Sequence, residues 1–94
     1  MVFRESFKLQ SRDRAVSFHD VTDKVKELAA KSGMKNAIVV VYSHHTTCSV
    51  IGRNVTIVAV DGEMDLGEFG RIHFIDWDQT RARQRTVQVM IIGE

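Results

Sequence analysis

Apolar and polar side chains alternate from Met1 to Gln10, with Phe3, Phe7 and Leu9 on one face and Arg4, Ser6, Lys8 and Gln10 on the other. A period of two predicts a half-buried strand. Ser11 to Arg14 reads as a polar turn and Ala15 to Phe18 as a short second strand with Val16 and Phe18 inward. The opening is therefore expected to be a hairpin. The period then changes. Val21, Val25, Leu28 and Ala29 recur at helical spacing, with Lys24, Lys26, Glu27 and Lys31 off that stripe. Asp20 offers an N-terminal cap, Asp23 and Lys31 suit the helix dipole at its two ends, and Gly33 suits the C-terminal cap.

Beyond the helix the pattern predicts strands only. Asn36 to Tyr42 is a near-continuous apolar run, expected to form a strand buried on both faces. Val55 to Val60 alternates and ends in Asp61-Gly62, a tight-turn pair. Arg71 to Asp78 sets Ile72, Phe74 and Asp76 against Arg71, His73, Ile75 and Trp77. In the closing run, Arg83 to Ile92, Val87, Val89 and Ile91 alternate with Gln88 and Met90. The expected fold class is α+β, with about seven mostly antiparallel strands and one main helix in a two-layer, sandwich-like arrangement. Phe69, Ile75, Trp77, Met90 and Ile92 exceed what one helix can cover, so a second sheet or another subunit must cover the rest.

Length and charge narrow the function classes. Ninety-four residues make one domain, expected to span 1–94. Thirteen basic against twelve acidic residues leave no bulk attraction to nucleic acid or to an anionic membrane. No apolar run is long enough to span a bilayer and the start is not a signal peptide, so no membrane partner and a cytoplasmic location are expected. A single cysteine excludes an intramolecular disulfide and a multi-cysteine zinc site.

One stretch gathers the candidate chemistry: Ser43-His44-His45-Thr46-Thr47-Cys48, directly after the apolar strand. His45 can exchange a proton or bind an anion near neutral pH. The plainer alternative is a strand-end histidine satisfied by a backbone carbonyl. Thr46 and Thr47 can donate hydroxyls to a phosphate, and are equally good strand residues. Arg71 can hold phosphate in a bidentate way, or form a surface salt bridge with Glu68 or Asp76. His44 and His45 face opposite sides of a regular strand, so a shared metal would need His73 or another subunit. Cys48 beside histidine has the ingredients of an activated nucleophile, but sequence neighbours on a strand diverge. Arg81, Arg83 and Arg85 recur at every second position, which on a strand makes one basic edge. That edge could grip nucleic acid, but the acidic neighbours favour a solvated, anti-aggregation edge.

Taken in order, these motifs resemble the YjbQ family, uncharacterised protein family 0047. The matching features are Asp20-Val21-Thr22-Asp23 at the helix start, the Ala37 to Tyr42 strand, and His44-His45-Thr46-Thr47. Further on come Asp61-Gly62-Glu63-Met64-Asp65-Leu66-Gly67, Arg71-Ile72, Asp76, Val87-Gln88-Val89 and the final Gly93-Glu94. The resemblance implies a two-sheet α+β fold and a homotrimer. It also implies a secondary thiamine-phosphate synthase activity, joining a pyrimidine pyrophosphate to a thiazole phosphate with release of pyrophosphate. His45 would then be the catalytic residue, Thr46, Thr47 and Arg71 would bind the phosphorylated substrate, and no metal ligands or cofactor are assigned. The chain departs from the family between Cys48 and Val55, where the family's central helical and histidine-containing segment is missing. Gly67-Glu68-Phe69-Gly70 also stands where the family has Gly-Thr-Trp-Gln. A non-catalytic oligomeric module that kept the scaffold is therefore the alternative expectation.

Overall fold

The computed structural model describes residues 1–11, 16–43, 48–49 (backbone alone), 54–68, 70–77, 82 and 84–94. Within them the chain forms β1 (Val2–Gln10), β2 (Ser17–Asp20), α1 (Thr22–Ser32), β3 (Ala37–Ser43), β4 (Cys48–Ser49), β5 (Asn54–Val60), β6 (Glu63–Met64), β7 (His73–Asp76) and β8 (Gln84–Gly93). Two sheets result, one of five strands in the order β1-β8-β3-β5-β6 and one of three in the order β2-β7-β4. All pairings between described strands are antiparallel. The α+β class, the two sheets and the single helix agree with the sequence pattern. No described helix is long and apolar enough to cross a membrane.

The core follows from the alternation. Val39 and Val41 of β3, Ile57 and Ala59 of β5, and Val87, Val89 and Ile91 of β8 point to one face of the large sheet. Val25, Leu28 and Ala29 of α1 close over them, joined by Ile72 and Phe74 at the small sheet. The helix ends at Gly33, whose φ of 73° is the left-handed conformation that its missing Cβ permits, and whose N–H donates to the Ala30 carbonyl. Asp61 and Gly62 both have positive φ, 51° and 84°, and join β5 to β6 with Val60 opposite Glu63. A two-residue connection with both residues at positive φ is the turn expected from Asp-Gly.

Four expectations are corrected. The opening segments do not pair as a hairpin: β1 lies against β8, while β2 joins β7 in the other sheet. In β2 the buried residue is Ser17, and Phe18 is exposed. Strand faces have a period of two, so this one-position offset reverses the inward set. Strand β3 is buried on one face only, with Ile38 47% exposed on the other. Arg85 is not on a solvated edge, because its side chain lies in the core against Asp76. Arg81 and Arg83 fall outside the described residues.

The Arg85–Asp76 pair spans the two sheets. Arg85 Nε donates to Asp76 Oδ2 at 2.8 Å and Nη2 to Oδ1 at 3.4 Å. The two side chains are only 4% and 0% exposed. Breaking such a pair leaves one charge buried without its partner, which costs about 3–5 kcal/mol. Asp76→Ala and Arg85→Met are each expected to destabilise by about that amount in urea unfolding. The double variant should lose clearly less than their sum, and strictly additive losses would show that the two groups are not coupled.

Candidate functional site

The described part of the site lies where β2 enters α1. The backbone N–H of Val21 donates to the Ile72 carbonyl at 2.9 Å, tying the helix entrance to the segment that leads into β7. Thr22, fully buried, continues this tie: its hydroxyl accepts from the Ile72 N–H at 2.7 Å and donates to Asp20 Oδ1 at 2.6 Å. Asp20 Oδ1 also accepts from the Thr22 N–H at 3.0 Å. Asp20 was expected at the N-cap position, but that position is Val21, which makes no side-chain cap bond; Asp20 reaches the N–H of Thr22, the first helical residue, from one position further back.

Arg71 completes the cluster. Its Nε donates to Asp20 Oδ2 at 2.9 Å, and its Nη2 lies 3.7 Å from Asp23 Oδ1. The expected partners Glu68 and Asp76 are therefore replaced by Asp20 and Asp23, and Asp76 is held by Arg85. The Arg71 side chain remains 42% exposed, and Asp23 is 87% exposed. The hydrogen bond from the Thr22 hydroxyl, followed by those from Arg71 and the Thr22 N–H, holds the Asp20 carboxyl well below the usual carboxylate range. The bond to Asp20 raises Arg71 further above its already high value.

Along β7 and the residues that flank it, Arg71, His73, Ile75 and Trp77 alternate with the buried Ile72, Phe74 and Asp76. Trp77 meets Phe18 of β2 edge to face, with ring centroids 6.4 Å apart. On the inner face of the same sheet, His19 Nε2 lies 3.0 Å from the Ser17 hydroxyl, and Ser17 sits opposite Asp76. His73 is opposite Asp20 and exposed, and no three His, Cys, Asp or Glu side chains among the described residues come together as a metal site. Strand β4 places the Cys48 backbone opposite Asp76. A shallow groove of about 340 Å³ lies between the helix and the β5–β6 turn, lined by Lys26, Ala29, Gly62, Glu63 and Met64.

His44, His45, Thr46 and Thr47 lie outside the described residues, as does most of the segment between Cys48 and Val55. Strand β3 carries the chain to Ser43, immediately before the histidines, and Ser43 is buried opposite Val87. Of the expected site residues, only Arg71 is thus placed by the structure. The sequence did not point to Thr22 or to the Asp20–Arg71 pair, whose members are separated by 51 positions.

The model of the family described as UPF0047 protein YjbQ-like matches residues 5–54, more than half of the chain. The chain belongs to this YjbQ-like family. Solved structures agree on the fold. A hypothetical protein from Aeropyrum pernix K1 is 25% identical with a TM-score of 0.87, the match covering 98% of this chain and 99% of that one. A YbjQ-like protein of unknown function from Sulfolobus solfataricus P2 is 15% identical, TM-score 0.86, covering 100% and 99%. An uncharacterised conserved YjbQ/UPF0047 protein from Clostridium acetobutylicum is 21% identical, TM-score 0.84, covering 94% and 99%. No curated protein matches the sequence.

The Asp20 carboxylate sets a pH dependence. A carboxyl whose folded pKa is depressed contributes its stability fully above the unfolded value, and that contribution is lost as pH falls toward the folded value. The YjbQ-like fold should therefore lose thermal stability as pH drops below about 4. Asp20→Asn should be less stable than the parent at neutral pH, and the gap should narrow in acid. A gap that stays constant with pH would mean that the Asp20 charge is not what holds the helix entrance.

Proposed function

We propose that this YjbQ-like protein is a homo-oligomer of three subunits that binds a phosphorylated small molecule. Arg71, Thr46 and Thr47 hold the phosphate, and His45 acts as proton donor or acceptor. The support is the way Arg71 is held. One guanidinium nitrogen is fixed by Asp20, itself locked to the helix entrance through Thr22, so the planar group is oriented before any ligand arrives. Its second contact, to the exposed Asp23 at 3.7 Å, is long enough for a phosphate oxygen to compete with it. With a pyrimidine pyrophosphate and a thiazole phosphate as substrates, Arg71 would bind phosphate oxygens, while the carbon–oxygen bond to pyrophosphate breaks and the carbon–nitrogen bond of thiamine phosphate forms.

The second reading, a non-catalytic oligomeric module, is favoured by a different observation at the same residue. Two carboxylates already flank the one guanidinium, so the described cluster sums to a charge of about −1, which opposes an anion. Enzyme and module differ in what His45 does.

The test is thiamine-phosphate formation by the purified protein, with binding of the thiazole phosphate followed by calorimetry. Arg71→Met should weaken binding by roughly ten- to a hundredfold, the worth of a charge-assisted hydrogen bond of about 1.5–3 kcal/mol. His45→Ala should abolish product formation while leaving the fold and most of the binding intact. Turnover unchanged in His45→Ala would sink the catalytic assignment, and wild-type protein that neither binds nor turns over would leave the module.

A further inference from the structure

The groove between α1 and the β5–β6 turn is open because two of its lining residues carry almost no side chain. Ala29 presents one methyl group from the helix, and Gly62 presents none. Gly62 has a φ of 84°, a conformation that disfavours any side chain, and a Cβ added there would meet nothing within 4 Å. The walls are fixed. The Gly62 N–H donates to the Lys35 carbonyl at 2.9 Å, just past the helix, and the Asp65 N–H donates to the Val58 carbonyl at 2.7 Å. The volume of about 340 Å³ lies at the small end of the range of roughly 300–1,000 Å³ in which small-molecule sites fall.

Two opposite charges line this space without meeting. Lys26 and Ala29 sit three positions apart on one side of α1, and Glu63 stands beside Met64 in β6. The other two lysines of the helix each have a carboxylate partner, Lys24 with Glu27 at 3.7 Å and Lys31 with Glu5 at 3.0 Å. The Lys26 side chain has no partner among the described residues, and neither has that of Glu63; no ion pair within 4.0 Å joins the two. The rest of the lining is apolar. Beside the Ala29 methyl lies the half-buried Met64, a flexible thioether that packs against the core and adapts its shape to a neighbour.

These side chains specify an occupant by charge complementarity. An ammonium only donates hydrogen bonds and a carboxylate only accepts them. A ligand with charge of one sign would meet an attractive and a repulsive group together. A zwitterion meets two attractive ones, its carboxylate at Lys26 and its ammonium at Glu63. The apolar lining suits an aliphatic body on the same molecule. A free α-amino acid with an aliphatic side chain has all of these features at a size the groove admits.

We propose that this groove binds such an amino acid, with Lys26 on the carboxylate, Glu63 on the ammonium and the side chain over Ala29 and Met64. The site shares no residue with the phosphate reading at Arg71 and is tested separately from it.

The probe is L-leucine, titrated into the isotope-labelled full chain and followed by nuclear magnetic resonance. Saturable shifts are expected at the amides of Ala29, Gly62 and Met64, with the millimolar affinity that a small, open site allows. N-acetyl-leucine lacks the ammonium and leucine methyl ester lacks the free carboxylate. Each should bind about tenfold or more weakly than leucine, the worth of a charge-assisted hydrogen bond. Lys26→Met should weaken leucine by the same factor and leave the methyl ester no weaker, and Glu63→Gln should do the same with N-acetyl-leucine. Both side chains are exposed, so neither substitution should move the unfolding midpoint. Absence of saturable shifts at these amides, or leucine binding no tighter than its two derivatives, would overturn the site. Leucine binding that survives both Lys26→Met and Glu63→Gln would overturn the roles of the two charges.

Discussion

Arg85 and Asp76 are the two charged side chains buried among the described residues, and the relation between the two sheets depends on their meeting. Arg85 belongs to β8, which pairs with both β1 and β3 in the large sheet. Asp76 belongs to β7, the middle strand of the small one. Aliphatic contacts such as those around Phe74 tolerate sliding, because dispersion and burial are nearly non-directional. A guanidinium and a carboxylate with no access to water do not. Displaced by one residue, each would be buried without its partner, at several kcal/mol. The pair adds little net stability over an apolar replacement, but it penalises every other register of β7 against β8. The adjacent Ser17 fits this setting, since it occupies the strand position opposite Asp76 with a small side chain that carries a hydroxyl.

A second polar tie works at the helix entrance on the same principle. Thr22 satisfies the Ile72 N–H and a carboxylate oxygen of Asp20 with one hydroxyl, and Asp20 spends its other oxygen on Arg71. Helix, small sheet and the segment between β6 and β7 are thereby fixed together by four residues. This gives Arg71 an oriented side chain that is still partly open to solvent, which is how a preorganised anion contact is built. It also places two carboxylates beside that side chain, so affinity for an anion would need positive charge or hydrogen-bond donors from elsewhere.

What could be read from the sequence was the part set by periodicity. Alternation over Phe3 to Leu9 and Val87 to Ile91 separated the inward set from a more polar outward one, whereas Val55 to Val60, apolar on both phases, showed a strand without showing which face is buried. Gly33 and Asp61-Gly62 were legible because few residues adopt positive φ. Pairing was not legible. A polar tetrad after β1 resembles a hairpin turn, yet nothing local tells β1 to join a strand more than seventy residues later. Phe18 and Ser17 show a further limit: hydrophobicity alone puts phenylalanine inside, but the inward position faces a buried carboxylate and favours serine. The same long-range partner removed Arg85 from its apparent basic edge. At the site, Arg71 was identified by motif and its partners were not, since Asp20 and Asp23 approach only through the tertiary fold.

The outward face of the large sheet joins these strands of argument. Strand β3 looked buried on both sides because its sequence is apolar on both sides, and in the single chain it is buried on one. The mismatch is informative. A strand that only had to cover a core would gain solubility from lysine or glutamate at Ile38 and Val40, at no cost to the inward valines. Apolar residues at those positions lie opposite Ile92 and Met90 of β8, so the outward phase of the strand repeats the apolar character of the inward phase that packs into the core. The apolar run led to an expectation of burial on both faces of β3, and within the chain one of the two is buried. The face away from the helix then has the same physical origin as the core: a period of two, filled with apolar side chains on both phases.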